Sequence, residues 1–232
     1  MDKRVANADA AIEKLSDGAT ILMGGFGTCG NAENLIQAVI RKGTKDLTCV
    51  SNNVGTPDFG LGLLVTEGRV RKLICSFPGQ NRACQQQVID GKIEIQLVPQ
   101  GTLVERVRAG GAGIPAFYTP TGVGTVVEEG KEVREFNGKK CLMEHALRGQ
   151  FAFIKAWKGD RWGNLVYRKT ARNFNPVFAT AADYVIAEVE ELVELGELDP
   201  DSIHTPGIFV HAIFQGTNYV KKIEKMVVRT RA

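Results

Sequence analysis

The sequence predicts an α/β fold: an open, mostly parallel sheet with helices on both faces and a small β-rich insertion in the second half. Three observations predict it. Strand-like apolar runs alternate with helical patterns four times over in the first half of the 232 residues, the order that builds right-handed βαβ units. The first run empties through a turn of four glycines, Gly24-Gly25-Phe26-Gly27-Thr28-Cys29-Gly30, straight into a helix start. Residues 114–140 then break the alternation with Gly, Thr and short β-branched runs that read as loops and hairpins.

Taken in order, Met1-Asp2-Lys3-Arg4 leads into an amphipathic helix. Strands are expected at 19–23, 46–51, 70–75 and 93–98, each a short apolar or β-branched run bounded by turn residues. Helical spacing of apolar residues places helices at 32–42, around 59–67, at 82–90 and at 101–109. Later apolar runs at 151–156, 164–167, 184–189 and 208–214 read as further strands. Residues 189–195 are acidic, Asp199-Pro200-Asp201 reads as a turn, and the basic tail 220–232 as peripheral. No repeat, low-complexity tract or linker interrupts the chain, so residues 1–232 are expected to form a single domain.

Composition narrows the class. With 44% hydrophobic and 24% charged residues, the chain falls among ordinary globular proteins. The net charge of +3, from 29 basic and 26 acidic residues, is small and interspersed, so no nucleic-acid partner is expected. The five cysteines are odd in number and form no CxxC pair. They point to a reducing, cytoplasmic setting without disulfides or a zinc site, with Cys49 and Cys75 acting as small core hydrophobes. No signal-peptide pattern and no apolar run long enough to cross a bilayer is found, so no membrane partner is expected.

In a parallel sheet, ligands bind beyond the carboxyl ends of the strands, so the residues after each strand are the candidate site. They are the glycine turn 24–30, then Asn52-Asn53, then Ser76-Phe77-Pro78-Gly79-Gln80-Asn81, then Pro99-Gln100-Gly101. Glycines allow close backbone approach, and a helix start favours an anion; equally, such a turn serves tight packing. Gly25, Gly27 and Gly30 match a dinucleotide fingerprint, but the acidic residue expected about 20 positions on is replaced by Ser51-Asn52-Asn53. No Lys-Ser/Thr follows Gly30, which excludes a P-loop. Asn52, Asn53 and Gln100 read equally as turn or cap residues. His145, His204 and His211 have no ligand spacing and read as structural or surface residues, so no metal is expected. Glu190, Glu191 and Glu194 read as a solvated face, and Arg168-Lys169-Thr170-Ala171-Arg172-Asn173 as a surface or interface segment. The four exits offer polar amides and glycines but neither a general base nor paired carboxylates.

Many ordered segments together resemble the A (alpha) subunit of the family I 3-oxoacid CoA-transferases over nearly the whole chain. They include Asp17-Gly18, Gly24 to Gly30, Val50-Ser51-Asn52-Asn53, Phe59-Gly60-Leu61-Gly62-Leu63-Leu64 and Pro99-Gln100-Gly101-Thr102-Leu103. Further segments are Arg108 to Pro115, Arg134 to Gly138, Arg168 to Asn175 and His204 to Ile208. Ser51-Asn52-Asn53 and the His204 segment look most like enzymes using succinyl-CoA and acetoacetate. Gly159-Asp160-Arg161-Trp162-Gly163 and Ser76-Phe77-Pro78 look more like enzymes of 3-oxoadipate. The resemblance implies a ping-pong transfer through a glutamyl-CoA thioester, with coenzyme A thioester as substrate and no permanently bound cofactor. The glutamate would come from a B subunit with a Ser-Glu-Asn-Gly-like motif, which this chain lacks, in a heterodimer or an A2B2 heterotetramer. Carried over, Gly24, Gly25, Phe26, Gly27, Thr28, Cys29 and Gly30 would form a CoA-associated loop. Asn52 and Asn53 would orient the substrate carboxylate or the incoming glutamate, and Gln100 would donate to the carbonyl oxygen. Asn31-Ala32 stands where the family loop has proline; Asn31 is expected to cap the following helix instead. Ser76-Phe77-Pro78-Gly79-Gln80 likewise replaces a segment that ends in Gly-Glu in ketoacid enzymes, which bears on acetoacetate specificity.

Overall fold

The computed structural model describes residues 1–79, 81–220 and 222. Its first half runs α1 (Ala8–Ala11), β1 (Thr20–Met23), α2 (Glu33–Lys42), β2 (Leu47–Asn53), α3 (Leu61–Thr66), β3 (Val70–Phe77), α4 (Arg82–Ile89), β4 (Glu94–Leu97) and α5 (Gln100–Ala112). A small sheet follows, β5 (Ala116–Thr119), β6 (Val133–Phe136) and β7 (Lys139–His145). The chain then returns as β8 (Gly149–Asp160), β9 (Leu165–Val166), α6 (Asn175–Phe178), β10 (Ala182–Val193) and β11 (Ala212–Gln215).

The main sheet has the order β11-β10-β8-β1-β2-β3-β4, all parallel, with β9 antiparallel against the end of β8. The chain thus steps from β1 outward to β4, then restarts on the other side of β1 with β8. The strand order reverses between β1 and β8, the place where a parallel sheet opens a crevice at its carboxyl edge.

Alternation along the strands explains why both faces are covered. Ile21 and Met23 of β1, Cys49 of β2 and Leu73 and Cys75 of β3 face one layer with Leu35, Ile36 and Val39 of α2 and Leu64 and Val65 of α3. Leu22, Val50 and Ile74 point the other way, against Leu103 and Val107 of α5 and Phe178 of α6. Cys49 and Cys75 are buried in the first layer, and burial pushes each thiol up to about 12. They are core hydrophobes.

The small antiparallel sheet, order β5-β7-β6, is the expected insertion. Glu144 of β7 is buried; it accepts from Lys131 Nζ at 2.5 Å and lies 3.9 Å from Arg106 Nε. Arg106 also donates to His145 O at 2.8 Å, tying the insertion to α5.

Three expectations change. The N-terminal helix is one turn, capped by Asn7 Oδ1 on Ala10 N–H, before residues 12–18 turn toward β1. The run 208–214 begins as a 3-10 turn over Gly207–Phe209 with Ile208 exposed, and only Ala212–Gln215 pairs with β10. Strand β10 reaches Val193 and takes part of the acidic run into the sheet. The tail at 220–232 lies outside the described residues apart from Val220 and Lys222. His204 and His211 each accept a backbone N–H at Nδ1, from Tyr167 and Val185 at 3.1 Å, which is a structural role.

Candidate active site

Because β1 to β4 run parallel, their carboxyl ends bring the four predicted exits to one edge. The glycine turn lies at the reversal point, with Gly24 N–H donating to Phe153 O of β8 at 3.1 Å. Within it Phe26 and Cys29 form a tight antiparallel bridge, N–H to O at 2.9 and 3.0 Å. Gly25 N–H donates to Asn173 Oδ1 at 3.1 Å and Gly27 N–H to Asn53 Oδ1 at 3.0 Å. Five of the seven main-chain donors of the turn are therefore held by the protein itself, at Gly24, Gly25, Phe26, Gly27 and Cys29. Those of Thr28 and Gly30 have no acceptor among the described residues.

Four asparagines build this turn. Besides Asn53 and Asn173, Asn31 Nδ2 donates to Gly27 O at 3.2 Å. Asn175 Nδ2 donates to Gly30 O at 3.1 Å, while its Oδ1 accepts from Lys155 N–H at 2.9 Å. The packing is so close that a Cβ on Gly24 would lie 1.9 Å from Asn175 Oδ1, and one on Gly25 would lie 2.5 Å from Asn31 Oδ1. Asn31 does not cap α2, as the sequence led one to expect: the N-cap is Ala32, without a side-chain bond. Its amide is buried between the turn and Gly60 instead.

The anion expected at the α2 start is supplied from within. Glu188 of β10, fully buried, accepts Asn34 N–H at 2.9 Å, Leu35 N–H at 3.0 Å and Asn34 Nδ2 at 3.1 Å. A carboxylate at a helix start is favoured by the dipole and the free N–H groups. Even so, burial pushes Glu188 up to about 7, opposed by the charge of Lys155 and the bonds from α2 and Tyr219. A carboxyl raised from 4.5 binds its proton more tightly folded than unfolded, so its stability contribution is full below pH ~4.5 and lost as pH rises through ~7. Glu188→Gln abolishes that slope. The unfolding free energy of the native chain relative to the variant should fall by about 3 kcal/mol between pH 5 and pH 8. Urea titrations at the two pH values measure this, and equal differences would refute it.

Strand alternation separates the two adjacent amides of β2. Asn53 reaches the glycine turn, whereas Asn52 turns toward the α5 side. There Asn52 Oδ1 accepts from Gln100 Nε2 at 2.6 Å and from Ser76 Oγ at 2.8 Å, and the same hydroxyl lies 2.7 Å from Asn52 O. Asn52 is buried and Gln100, the first residue of α5, is exposed. Gln100 spends one amide N–H on Asn52, and its second N–H has no acceptor among the described residues.

On the other side of the turn is a cavity of about 370 Å³, lined by Thr28, Cys29 and Gly30 together with Lys155, Trp157 and Tyr167. Glu190 reaches it too and is not part of a solvated face: its side chain lies 3.7 Å from both Lys155 Nζ and an Arg168 nitrogen. Glu191 pairs with Lys158 at an exposed site, as the acidic run suggested. Among the described residues, no group of three or more His, Cys, Asp or Glu side chains could hold a metal ion, and no helix is long and apolar enough to cross a membrane.

The structure thus joins Asn53 to the glycine turn and Asn52 to Gln100, in two adjoining clusters at one edge. Sequence reading missed Asn31, Asn173 and Asn175 as builders of the turn, Glu188 as the anion at the α2 start, and Ser76 as a partner of Asn52. The segment 168–173, read as surface or interface, packs on the turn through Asn173. Its available signal was its place among the ordered segments, Arg168 to Asn175, that carry the family resemblance.

Comparison with known proteins bears on the family and the fold. The family described as coenzyme A transferase matches residues 5–216. The A chain of the succinyl-CoA:3-ketoacid coenzyme A transferase of Helicobacter pylori (strain J99) is 54% identical over 230 residues, covering 99% of both chains. The human mitochondrial succinyl-CoA:3-ketoacid coenzyme A transferase 2 is 50% identical over 235 residues, covering 94% of this chain and 46% of that protein. Among solved structures, an acyl-CoA transferase of Escherichia coli O157:H7, in a thioester complex with CoA, superposes with a TM-score of 0.82 at 25% identity. That match covers 91% of this chain and 47% of the other. The chain therefore spans nearly all of the Helicobacter protein and about half of the two longer proteins.

Proposed function

The chain belongs to the coenzyme A transferase family, and from that premise we propose that it is the single-domain alpha component of a cytoplasmic 3-oxoacid CoA-transferase. The enzyme moves CoA from succinyl-CoA to acetoacetate, and the chain works with a B subunit in a heterodimer or an A2B2 heterotetramer. The observation that carries this reading is what the four exits themselves contain, amide and main-chain donors and no carboxylate, while Glu190 in the adjoining cavity faces Lys155 and Arg168. A second chain then supplies the nucleophile. Its glutamate attacks the acyl-CoA carbonyl, the CoA thiolate leaves, and a mixed anhydride forms. The thiolate attacks the glutamyl carbonyl, releasing the first acid and leaving a glutamyl-CoA thioester. The second acid takes the CoA by the same steps in reverse. Gln100 donates its spare N–H to the oxygen that gains charge, Asn52 and Asn53 orient the carboxylates, and Gly24 to Gly30 contact CoA through the turn.

Assayed alone with succinyl-CoA and acetoacetate, the chain is expected to give no turnover, and to gain it on addition of a B chain bearing the glutamate. Turnover by the chain alone would sink the two-chain reading. Because Ser76-Phe77-Pro78 and Gly159 to Gly163 resemble enzymes of 3-oxoadipate, the same assay is run with 3-oxoadipate and acetate. Preference for either would replace acetoacetate in the reading.

A further inference from the structure

Asn173 has a backbone its residue type does not prefer. It sits at φ 23° and ψ −123°, near the first corner of a type II′ turn, where glycine is the relaxed residue. Yet its amide is committed at both ends. Oδ1 accepts from Gly25 N–H at 3.1 Å, Phe174 N–H at 2.7 Å and Asn175 Nδ2 at 3.2 Å. Nδ2 donates to Cys29 O and to Thr170 O, both at 3.1 Å. Glycine would relax the backbone and lose all five bonds. A strained residue persists where its surroundings over-determine it, and such residues cluster at functional sites.

The bonds to Gly25 and Cys29 lie on either side of the hairpin closed by Phe26 and Cys29, so one side chain ties the entry of the glycine turn to its exit. Its neighbours brace the same element: Phe174 stacks on Phe26 with ring centres 6.3 Å apart, and Asn175 holds Gly30 O.

We propose that Asn173 is a positioning residue: it fixes the spacing of Gly25 and Cys29, and with it the place of Thr28 and Gly30 on the wall of the cavity. The effect on catalysis rests on the CoA-transferase reading above; the clamp itself does not.

The test is Asn173→Gly, which suits the backbone and removes the side chain. By hydrogen exchange of the isolated chain, amides in 24–30 should exchange about tenfold faster or more while those of β2 stay unchanged. In the assembled enzyme kcat should fall between about tenfold and a hundredfold, with KM for the acyl-CoA moving less than about threefold. Should the glycine variant fail to fold, Asn173→Asp replaces it. That variant keeps the acceptor for Gly25 and turns a second carboxylate oxygen against the carbonyls of Cys29 and Thr170, so the same two changes are expected. Unchanged exchange in 24–30 overturns the clamp whatever the activity. Faster exchange with kcat within about twofold of the native enzyme overturns the positioning role. A native complex that transfers no CoA refutes the functional reading instead, and the exchange measurement then decides the clamp by itself.

Discussion

Replacing Gln100 by alanine in the assembled enzyme is expected to lower kcat by on the order of 100- to 1,000-fold. The same change should leave the stability of the chain within about 0.5 kcal/mol. The two halves of the prediction follow from one geometry. Gln100 is exposed at the first turn of α5, so little packing is lost with it. Its Nε2 donates to Asn52 Oδ1 at 2.6 Å, which holds the amide in a fixed orientation, and the remaining N–H is free to meet an oxygen that becomes charged in the transition state. A donor fixed beforehand needs no reorganisation when charge develops, and for that reason its loss appears in kcat more than in KM. Asn52 keeps its second donor, Ser76 Oγ at 2.8 Å, so alanine at position 100 does not release it. Steady-state kinetics with urea unfolding of the same preparation checks both halves. Full kcat would refute the role of the amide.

Gly24→Ala acts on the other cluster and should destabilise the chain by about 3–5 kcal/mol. The added Cβ would lie 1.9 Å from Asn175 Oδ1, so one of the two must move. Asn175 is fully buried and is held by Lys155 N–H, Gly30 O, Ala171 O and the Asn173 amide. Displacing it leaves several buried polar groups without partners, each at about 1–3 kcal/mol. Gly101→Ala is the control. Its Cβ would meet nothing within 4 Å inside α5, so a gain of about 0.4–1 kcal/mol is expected. Urea midpoints compare the two, and a loss below about 1 kcal/mol for Gly24→Ala would show that the turn relaxes around the methyl group.

The strand-helix alternation was legible because its signals are local. Short apolar runs such as Thr20–Met23 and Val70–Phe77 mark strands, and apolar residues at helical spacing mark α2. Boundaries failed where partners extend an element. Strand β10 continues past Val189 through Glu190 and Glu191 because it pairs with β8 over its whole length, so acidic residues that read as a solvated face lie in the sheet.

At the site, sequence by itself determined which residue types gather at one edge. Strand direction is fixed by the βαβ order, and the exits of parallel strands must then lie together. It also determined that those exits lack a carboxylate. What only the tertiary structure decided is how the donors are used. The acceptor for Gly25 N–H lies 148 residues away, and the anion at the α2 start comes from Glu188, 154 residues away. No local pattern encodes such pairs, because they depend on β8 being laid beside β1 and β10 beside β8. A glycine turn that reads as an open anion cradle thereby becomes a braced element, with two N–H groups left to offer.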